Sequence, residues 1–388
     1  MIHSHAMKDQ VADEHNSTAS IMQYFAAIPD PRIERTRLHP LASILVLSLV
    51  AVLSGADSFV AIEDFGLAKE DWLKTFLHLP NGIPSHDTLG RVFASLNPTA
   101  LEQAFREWIA AVAKLTTGGV VALDGKTLRR SFRKPGIGFI HMVSAWSAQN
   151  HVVLGQVKTE EKSNEITAIP RLLDLLQLKG CLVTIDAMGC QKDIAAKIVN
   201  AEADYLLAVK DNQPTLAADV AAVFQDARQD PALLESMDFH STDEKGHGRK
   251  EVRRCWTSSL IDRVSQLEQW QGLQTLVLIE SERTVGEKTT LEQRLYICSR
   301  PGISALEALA ASRSHWGIEN ELHWVLDVAF REDDCRVRAG HAGENFAVIR
   351  HFAINLLKSV KGTKVGIKNR RLRAAWDNAF LIRALGAL

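Results

Sequence analysis

The pattern of apolar and polar positions divides the chain into three stretches. Up to residue 116, apolar residues recur at helical spacing, which predicts helices at 41–54, 58–67, 70–77, 85–96 and 99–116. From residue 119 to 209, short apolar runs alternate with amphipathic stretches. This pattern predicts strands at 119–124, 138–148, 151–158, 181–186 and 204–209, and helices at 164–178, 190–202 and 213–228. Between about 230 and 300, further apolar runs predict a β-rich block.

The order of these elements predicts an α/β fold with a mixed sheet. Two strands joined at Gln149-Asn150 form a hairpin, and helix–strand crossovers follow. A sheet that is antiparallel first and parallel afterwards is expected of a ribonuclease H-like core. We therefore predict a disordered segment at 1–16, a helical N-terminal domain at 17–116 and a catalytic domain at 117–388. The β-rich block at about 230–300 is predicted to be an insertion into that domain.

The segment 314–334 combines helical periodicity with an unusual set of polar residues and is predicted to be a helix running into a short strand. His315, Glu319, His323 and Asp327 are spaced by four, so they form one line along the helix. Such a helix is either a solvated amphipathic helix or the wall of an active site.

Two further acids favour the active-site interpretation. Asp124 and Asp186 follow apolar runs predicted to be strands, and small residues come next. An isolated aspartate there is often only a turn former. Carboxylates from two strand ends and Glu319 would repel one another unless a cation neutralised them. Oxygen ligands without a thiolate point to two Mg²⁺ or Mn²⁺ ions, which suit phosphodiester displacement.

A zinc site at His315, Glu319 and His323 is the rival interpretation. The spacing suits metal ligands. The metalloprotease pattern, however, requires Glu directly after the first His, and Trp316 stands there instead.

Composition limits the classes of function. The formal net charge of −1 provides no global basic field, so DNA binding would need local basic patches. Basic residues do cluster after the first strand, in the β-rich block and between Lys361 and Arg373, although each cluster is also compatible with a solvated surface. The helices at 70–77 and 85–96 resemble a helix-turn-helix, but most such pairs are plain packing units.

Cellular location is predicted from three negative features. Five cysteines without a C-x-x-C pair indicate reduced thiols. The N-terminus has no apolar signal region. The apolar run at 41–53 is shorter than the roughly 20 residues that span a bilayer. These features predict a cytoplasmic protein without membrane association.

Four blocks of the sequence closely resemble the DDE transposases of bacterial insertion sequences, in the ISAs-type or H-repeat-associated group. The blocks are LDGKTLRRS, KSNEITAIPRLLDLLQLKGCLVTIDAMGCQ, ADYLLAVKDNQPTL and HWGIENELHWVLDVAFREDDCRVR. The resemblance implies that Asp124, Asp186 and Glu319 are the catalytic, metal-binding triad. It also implies double-stranded DNA as the partner, with assembly at least as a dimer. Glu321 and Asp327 rank behind Glu319 as the third carboxylate.

The wider group carries a Tyr, Arg, Glu and Lys signature, from which this chain departs. The corresponding positions are Ser312, His315, Glu319 and Leu326, so other residues are expected to bind the phosphates. The candidate DNA contacts are Lys126, Arg129, Arg130, Lys210, Arg249, His315, Arg370 and Arg371. Two alternatives to a transposase stay open: a non-catalytic DNA-binding protein derived from one, and a ribonuclease H-like nuclease without strand transfer.

Overall fold

The computed structural model describes residues 21–113, 118–128, 140–159, 165–246 and 248–386. The predictions for residues 1–16, Arg129 and Arg130 fall outside this part of the chain. No helix among the described residues is long and apolar enough to cross a membrane.

The N-terminal part is helical, as predicted. Residues 21–26 are helical, and five helices follow: α1 (Leu41–Leu53), α2 (Phe59–Ala68), α3 (Glu70–Leu73), α4 (His86–Ser95) and α5 (Pro98–Val112). Helix α1 is apolar on all sides and nearly every residue is buried, as expected of a core helix. Helix α3 is shorter than the predicted 70–77. Just beyond it, the Thr75 hydroxyl donates a hydrogen bond to the Trp72 carbonyl (2.6 Å), which competes with helix continuation.

Five strands form the predicted mixed sheet. They are β1 (Val120–Leu128), β2 (Ile140–Ser147), β3 (Val152–Lys158), β4 (Leu182–Ile185) and β5 (Asp204–Val209). Strand β1 pairs with β2 in antiparallel and with β4 in parallel orientation, and the spatial order is β3-β2-β1-β4-β5. The connecting helices are α6 (Glu165–Asp174), α7 (Lys192–Asn200), α8 (Pro214–Gln229) and α9 (Pro231–Glu235).

The β-rich block extends this same sheet. Its strands are β6 (Asp238–Gly246), β7 (Arg249–Ser258), β8 (Thr275–Val285) and β9 (Lys288–Cys298). Strand β9 pairs antiparallel with β5, so β8, β7 and β6 follow it outward to give nine strands among the described residues. The block is therefore part of the same sheet, because β9 pairs with β5, the strand next to β4.

A long helical segment crosses the sheet. Helix α10 (Ala305–Gly317) passes into a π-helical turn (Ile318–His323) and then into α11 (Trp324–Phe330). The short strand predicted at its end is wrong. Arg331 adopts a left-handed conformation (φ 50°) that ends the helix, and a 3₁₀ turn follows at Glu332–Asp334.

The last helices join the two halves of the chain. They are α12 (Ala342–Ser359), α13 (Ile367–Trp376) and α14 (Asn378–Leu385). Helix α12 is buried almost throughout and packs on α1, α4, α5 and β3. Its Asn355 side chain accepts from the Val153 amide (2.8 Å) and donates to the Val153 carbonyl (2.9 Å). The N-terminal helices and the sheet therefore share one apolar core, and the boundary at 116/117 stays a prediction.

Lys126 lies in a buried ion cluster that joins β1 to the end of α11. Its ammonium group donates to Asp327 and to Glu332 (2.9 Å) and lies 3.8 Å from Asp333. Its side chain is only 10% exposed, and Glu332 also pairs with Arg350 at 3.5 Å. Lys126 was predicted to contact DNA, but the structure instead engages it within the protein.

Arg370 and Arg371 are engaged in a similar way. The buried Arg371 guanidinium donates to the carbonyls of Val52 (3.0 Å) and Ala329, and to the Asp57 carboxylate (2.8 Å). Arg370 donates to carbonyls at and beyond the end of α12, at Leu357, Lys358, Val360, Thr363 and Val365. Both arginines donate to carbonyl groups near helix ends. Their guanidinium groups are therefore engaged within the protein, although both were predicted to contact DNA.

Lys126→Met removes the ammonium group that faces the carboxylates of Asp327, Glu332 and Asp333. Because these acids then lie together without that cation, we expect the free energy of unfolding at pH 7 to fall by about 3–5 kcal/mol. Urea unfolding followed by circular dichroism measures it. The control Lys197→Met breaks a pair with Asp174, whose side chain is 61% exposed. There, we expect a change below about 1 kcal/mol.

The pH dependence of the same variant tests the cause. Burial by itself raises the pKa of Glu332. Lys126 and Arg350 oppose this effect and bring the pKa below its ordinary value. In the native chain, the stability that ionised Glu332 contributes is fully present above the ordinary pKa of the group. It is lost as the pH falls through the lowered pKa. Without Lys126 the pKa of Glu332 rises, so Glu332 takes up a proton at a higher pH in the variant. The difference in free energy of unfolding between the native chain and the variant therefore becomes smaller as the pH falls from 7 to 5. A deficit that is constant over this interval would contradict the assignment.

Arg371→Met removes the side-chain donor to the carbonyls of Ala329 and Ala56, while the Val52 carbonyl keeps the Gly55 amide as a donor. We expect the free energy of unfolding to fall by at least about 3 kcal/mol, since each unsatisfied group costs about 1–3 kcal/mol. Arg373→Met, on the exposed side of the same helix, is expected to change it by about 0.5 kcal/mol or less. Equal effects of the two substitutions in urea unfolding would refute the role of Arg371.

Candidate active site

The sheet register places Asp124 and Asp186 side by side. The parallel pairing of β1 with β4 ends at Leu123 opposite Ile185, and the residue that follows each of these two is an aspartate. Asp124 was predicted at a strand end but lies within β1, because the antiparallel pairing with β2 continues to Leu128. The two carboxylates therefore meet where β1 and β4 part.

The backbone fixes the Asp186 carboxylate. Asp186 precedes a 3₁₀ turn (Ala187–Gly189), and its Oδ1 accepts hydrogen bonds from the amides of Met188 (3.1 Å) and Gly189 (3.3 Å). The short side chain satisfies amides at the start of the turn in the manner of a helix N-cap. The position of this carboxylate is thus set by the local sequence.

The helical segment presents its line of polar residues to these strands. His315 Nδ1 lies 3.1 Å from Thr184 Oγ1 on β4, and His323 Nδ1 lies 3.3 Å from Asp124 Oδ2 on β1. One step further, Asp327 pairs with Lys126. In a regular α-helix, such a line drifts by about 40° for each step of four residues. The π-helical turn takes more residues per turn and so rotates the line back toward the sheet.

Glu319 belongs electrostatically to the aspartate pair. Burial raises the pKa of Glu319, and Asp124 and Asp186 raise it further, while His323 and Arg294 lower it. Burial likewise raises the pKa of Asp186, and the nearby carboxylates of Glu165 and Asp124 add to the rise. The ionised forms of Glu319 and Asp186 are therefore disfavoured by neighbouring carboxylates, as expected of acids that lie close together.

The donor set fits hard divalent cations. Three carboxylates without a thiolate match Mg²⁺ or Mn²⁺, and their mutual repulsion is what a cation would relieve. Among the described residues, no three His, Cys, Asp or Glu side chains already stand at metal-ligand spacing. This applies equally to the zinc trio of His315, Glu319 and His323. Burial lowers the pKa of His315, which favours the neutral imidazole.

Strand β9 closes one side of the site, which the sequence did not reveal. Asp186, Glu319 and His315 line a cleft of about 210 Å³ together with Arg294 from β9 and Lys210. The Arg294 guanidinium lies 4.7 Å from the Trp316 ring and pairs with Glu292 at 2.8 Å. The hydroxyl of Tyr296, also on β9, lies 2.9 Å from Ser312 Oγ on α10. Only the pairing of β9 with β5 brings these side chains to the helix.

A fourth carboxylate, Glu165, lies beside the cluster and was not singled out from the sequence. Glu165 Oε1 is 2.6 Å from His141 Nε2. A Cβ atom at Gly125, next to Asp124, would stand 2.0 Å from the same oxygen. Glycine is therefore required at this position for Glu165 to approach β1. The small residues after Asp124 were the available signal, since they indicate a close approach.

The remaining predicted DNA contacts differ in setting. Lys210 is exposed and lines the cleft. Arg249 is exposed on β7, and its Nε lies 3.6 Å from Glu251. His315 faces β4 within the cleft and not an outer surface. Lys210 is therefore the predicted contact that the structure brings to the carboxylates in an accessible position.

Comparison with known proteins identifies the family. Residues 116–356 match the family described as the transposase DDE domain, and residues 22–109 match the one described as DDE_Tnp_1-associated. Among solved structures, the piggyBac transposase synaptic complex with hairpin DNA aligns with a TM-score of 0.39 and 12% identity, over 96% of this chain and 78% of that one. That likeness is too distant to indicate a shared fold.

Two bacterial relatives match almost the whole chain. YncI of Escherichia coli O157:H7 is 45% identical over 379 residues, which cover 96% of this chain and 95% of YncI. The H repeat-associated protein YhhI of Escherichia coli strain K12 is 40% identical over 375 residues, which cover 94% of this chain and 97% of YhhI. The chain therefore belongs to the transposase DDE domain family, in the group of the H repeat-associated proteins.

Proposed function

We propose that this chain is a DNA transposase with a ribonuclease H-like catalytic core. It cuts phosphodiester bonds at the ends of an insertion element and joins the freed 3′ ends to target DNA. The observation that carries the proposal is the register of β1 and β4, which sets Asp124 beside Asp186, with Glu319 facing them from the π-helical turn. Family membership supports the same activity.

In this mechanism Asp124, Asp186 and Glu319 would hold two Mg²⁺ or Mn²⁺ ions. Such ions would supply Lewis-acid activation of the attacking oxygen and would offset charge on the leaving oxygen of an in-line displacement. The chain's own residues set the geometry. Backbone amides orient Asp186, and His323 orients Asp124. Neither cutting nor joining requires a covalent enzyme intermediate, so no serine or tyrosine nucleophile is needed.

Arg294 and Lys210 are our candidates for binding the phosphate next to the reacting bond. Both line the cleft that holds Asp186 and Glu319. Arg294 stands near His315, the position at which the wider group carries its arginine. A guanidinium is suited to a phosphate because its planar donors can bind two oxygens at once. The cation lost from the helix is thus supplied by β9 in this proposal.

The partners follow from this activity. We propose double-stranded DNA as the substrate, a dimer or larger assembly on paired element ends, and action in the cytoplasm. A non-catalytic DNA-binding protein derived from a transposase would have no need to keep Asp186 and Glu319 beside other carboxylates that raise their pKa, so this cluster favours catalysis. A nuclease without strand transfer would nick DNA but give no joined products.

Glu319→Gln keeps the size of the side chain and removes its charge. We expect cleavage and joining of a plasmid that carries the element ends, assayed with Mg²⁺ or Mn²⁺, to fall by more than about 100-fold, as for loss of a key metal-site group. The matched control is Glu321→Gln. Glu321 is two residues away but pairs with His151 (2.8 Å) and Lys358 (2.9 Å), outside the cleft.

The control should retain cleavage within a few-fold of the native chain. Full activity in Glu319→Gln would move the third carboxylate elsewhere and contradict the triad. DNA binding without any cleavage by the native chain would favour the non-catalytic alternative. Nicking without joined products would favour the nuclease.

A further inference from the structure

A second groove, separate from the catalytic cleft, runs between α4 and the segment 331–341. Its volume is about 840 Å³. Helix α4 supplies one wall, and the segment that follows α11 supplies the other. The groove is lined by His86, Arg91, Arg331, Arg336 and Arg338, with a partly apolar floor at Phe59 and Val337. No part of this groove is used by the proposed chemistry.

The two walls are held at a fixed separation where α4 ends. The His341 amide donates to the Ala94 carbonyl at 3.0 Å. Gly340 has a φ of +49°, and a Cβ atom there would stand 2.2 Å from the same carbonyl oxygen, so glycine permits this approach. Asn345 donates to the carbonyls of Phe93 (2.8 Å) and Leu96 (2.9 Å). The groove is therefore preformed and needs no rearrangement to take a ligand.

The other end of the segment is anchored next to the candidate active site. Glu332 pairs with Lys126 on β1, two residues beyond Asp124. One wall of the groove is thus joined, through this ion pair, to the strand that carries Asp124. This connection to the candidate active site is the first argument for the identity of the ligand.

The charge of the groove is the second argument. Four arginines line it, and Arg91, Arg336 and Arg338 are exposed while the Arg331 side chain is 67% exposed. Three acids also line the groove. Asp57 pairs with Arg371, Asp334 lies 3.5 Å from Arg331 and Asp87 lies 3.7 Å from His86. The Arg91 guanidinium donates to the Thr88 hydroxyl (3.1 Å). Neither Arg91 nor Arg336 has a carboxylate partner in the described part of the chain.

Another arginine-rich groove lies across β7 to β9 and differs from the groove beside α4 in how its arginines are paired. It has a volume of about 650 Å³ and also contains several arginines. Arg294 aside, its arginines already lie against acids. Arg253 pairs with Glu251 (2.5 Å) and Arg313 with Glu244 (2.7 Å). Arg249 and Arg283 lie 3.6 Å and 3.8 Å from Glu251. The groove beside α4 is the better anion site because part of its charge is not neutralised within the protein.

We propose that the groove between α4 and segment 331–341 binds the sugar–phosphate backbone of duplex DNA and leads it to the catalytic carboxylates. This proposal rests on the transposase function and adds the surface on which the substrate lies. Arg91 and Arg336 contact phosphates from opposite walls. Such contacts position the duplex without reading its sequence, so the groove serves element ends and other DNA alike.

The test is DNA binding by the full-length chain in EDTA, where no cleavage occurs. Fluorescence anisotropy with a labelled 30-base-pair duplex is recorded between 50 and 200 mM salt, for an element-end sequence and for an unrelated one. In the double variant Arg91→Ala/Arg336→Ala we expect affinity to fall by at least about tenfold at 50 mM salt for both sequences. The slope of log affinity against log salt should fall by about 2, one unit for each lost phosphate contact.

The matched control removes two positive charges away from the groove. Lys179→Ala/Arg263→Ala changes two residues that pair with exposed acids, Glu202 and Asp226. We expect its affinity and salt slope to match the native chain. Urea unfolding of both double variants checks that neither loss of binding arises from loss of folding.

The outcomes separate the groove from the proposed function. Native affinity and slope in Arg91→Ala/Arg336→Ala would overturn the groove, even if cleavage still depends on Glu319. Equal losses in the two double variants would overturn it as well, because the effect would then be one of net charge. Weakened binding confined to the groove variant supports the groove, whether or not the native chain cuts. If the native chain binds no duplex in this range, both proposals fail.

Discussion

The ammonium group of Lys126, buried among Asp327, Glu332 and Asp333, joins the strand that carries Asp124 to the helical segment that carries Glu319. Strand β1 provides Asp124, a candidate metal ligand, and provides the anchor Lys126 two residues later. Because alternate residues of a strand point to the same face, Asp124 and Lys126 both face the crossing segment. The backbone geometry of β1 therefore positions Asp124 and, through Lys126, also holds the segment that carries Glu319 against the strand.

Electrostatic opposition organises the rest of this face. At one end of the crossing segment like charges converge, and at the other the cations Lys126 and Arg350 offset much of the charge of three acids. The stable ion cluster fixes the position of α11, so the repulsive cluster is retained although it is unfavourable by itself. The π-helical turn lies between the two and keeps His315, Glu319, His323 and Asp327 directed at the sheet. Stability at one end thus maintains the group of like-charged carboxylates at the other.

Local pattern predicted much of the fold because helices and strands are set by short-range periodicity. The mixed sheet, the N-terminal helices and the helical segment that carries Glu319 all follow from such patterns. What these patterns did not reveal depends on distant partners. Lys126 reads as a surface cation in the sequence, yet its partner Asp327 lies 201 residues away. Arg294 and Tyr296 reach the cleft through the pairing of β9 with β5, and no local signal specifies that pairing. The predicted strand after α11 fails because Glu332 is drawn to Lys126 and Arg350, which favours a tight turn.

The central claim is that Asp124, Asp186 and Glu319 together hold divalent cations. Anomalous diffraction from crystals of the full chain bound to duplex DNA and soaked with Mn²⁺ tests it most directly. The account predicts Mn²⁺ peaks within about 2.5 Å of carboxylate oxygens from all three residues. Peaks on His315 and His323 without the aspartates, or well-ordered crystals with no peak at this edge of the sheet, would contradict it.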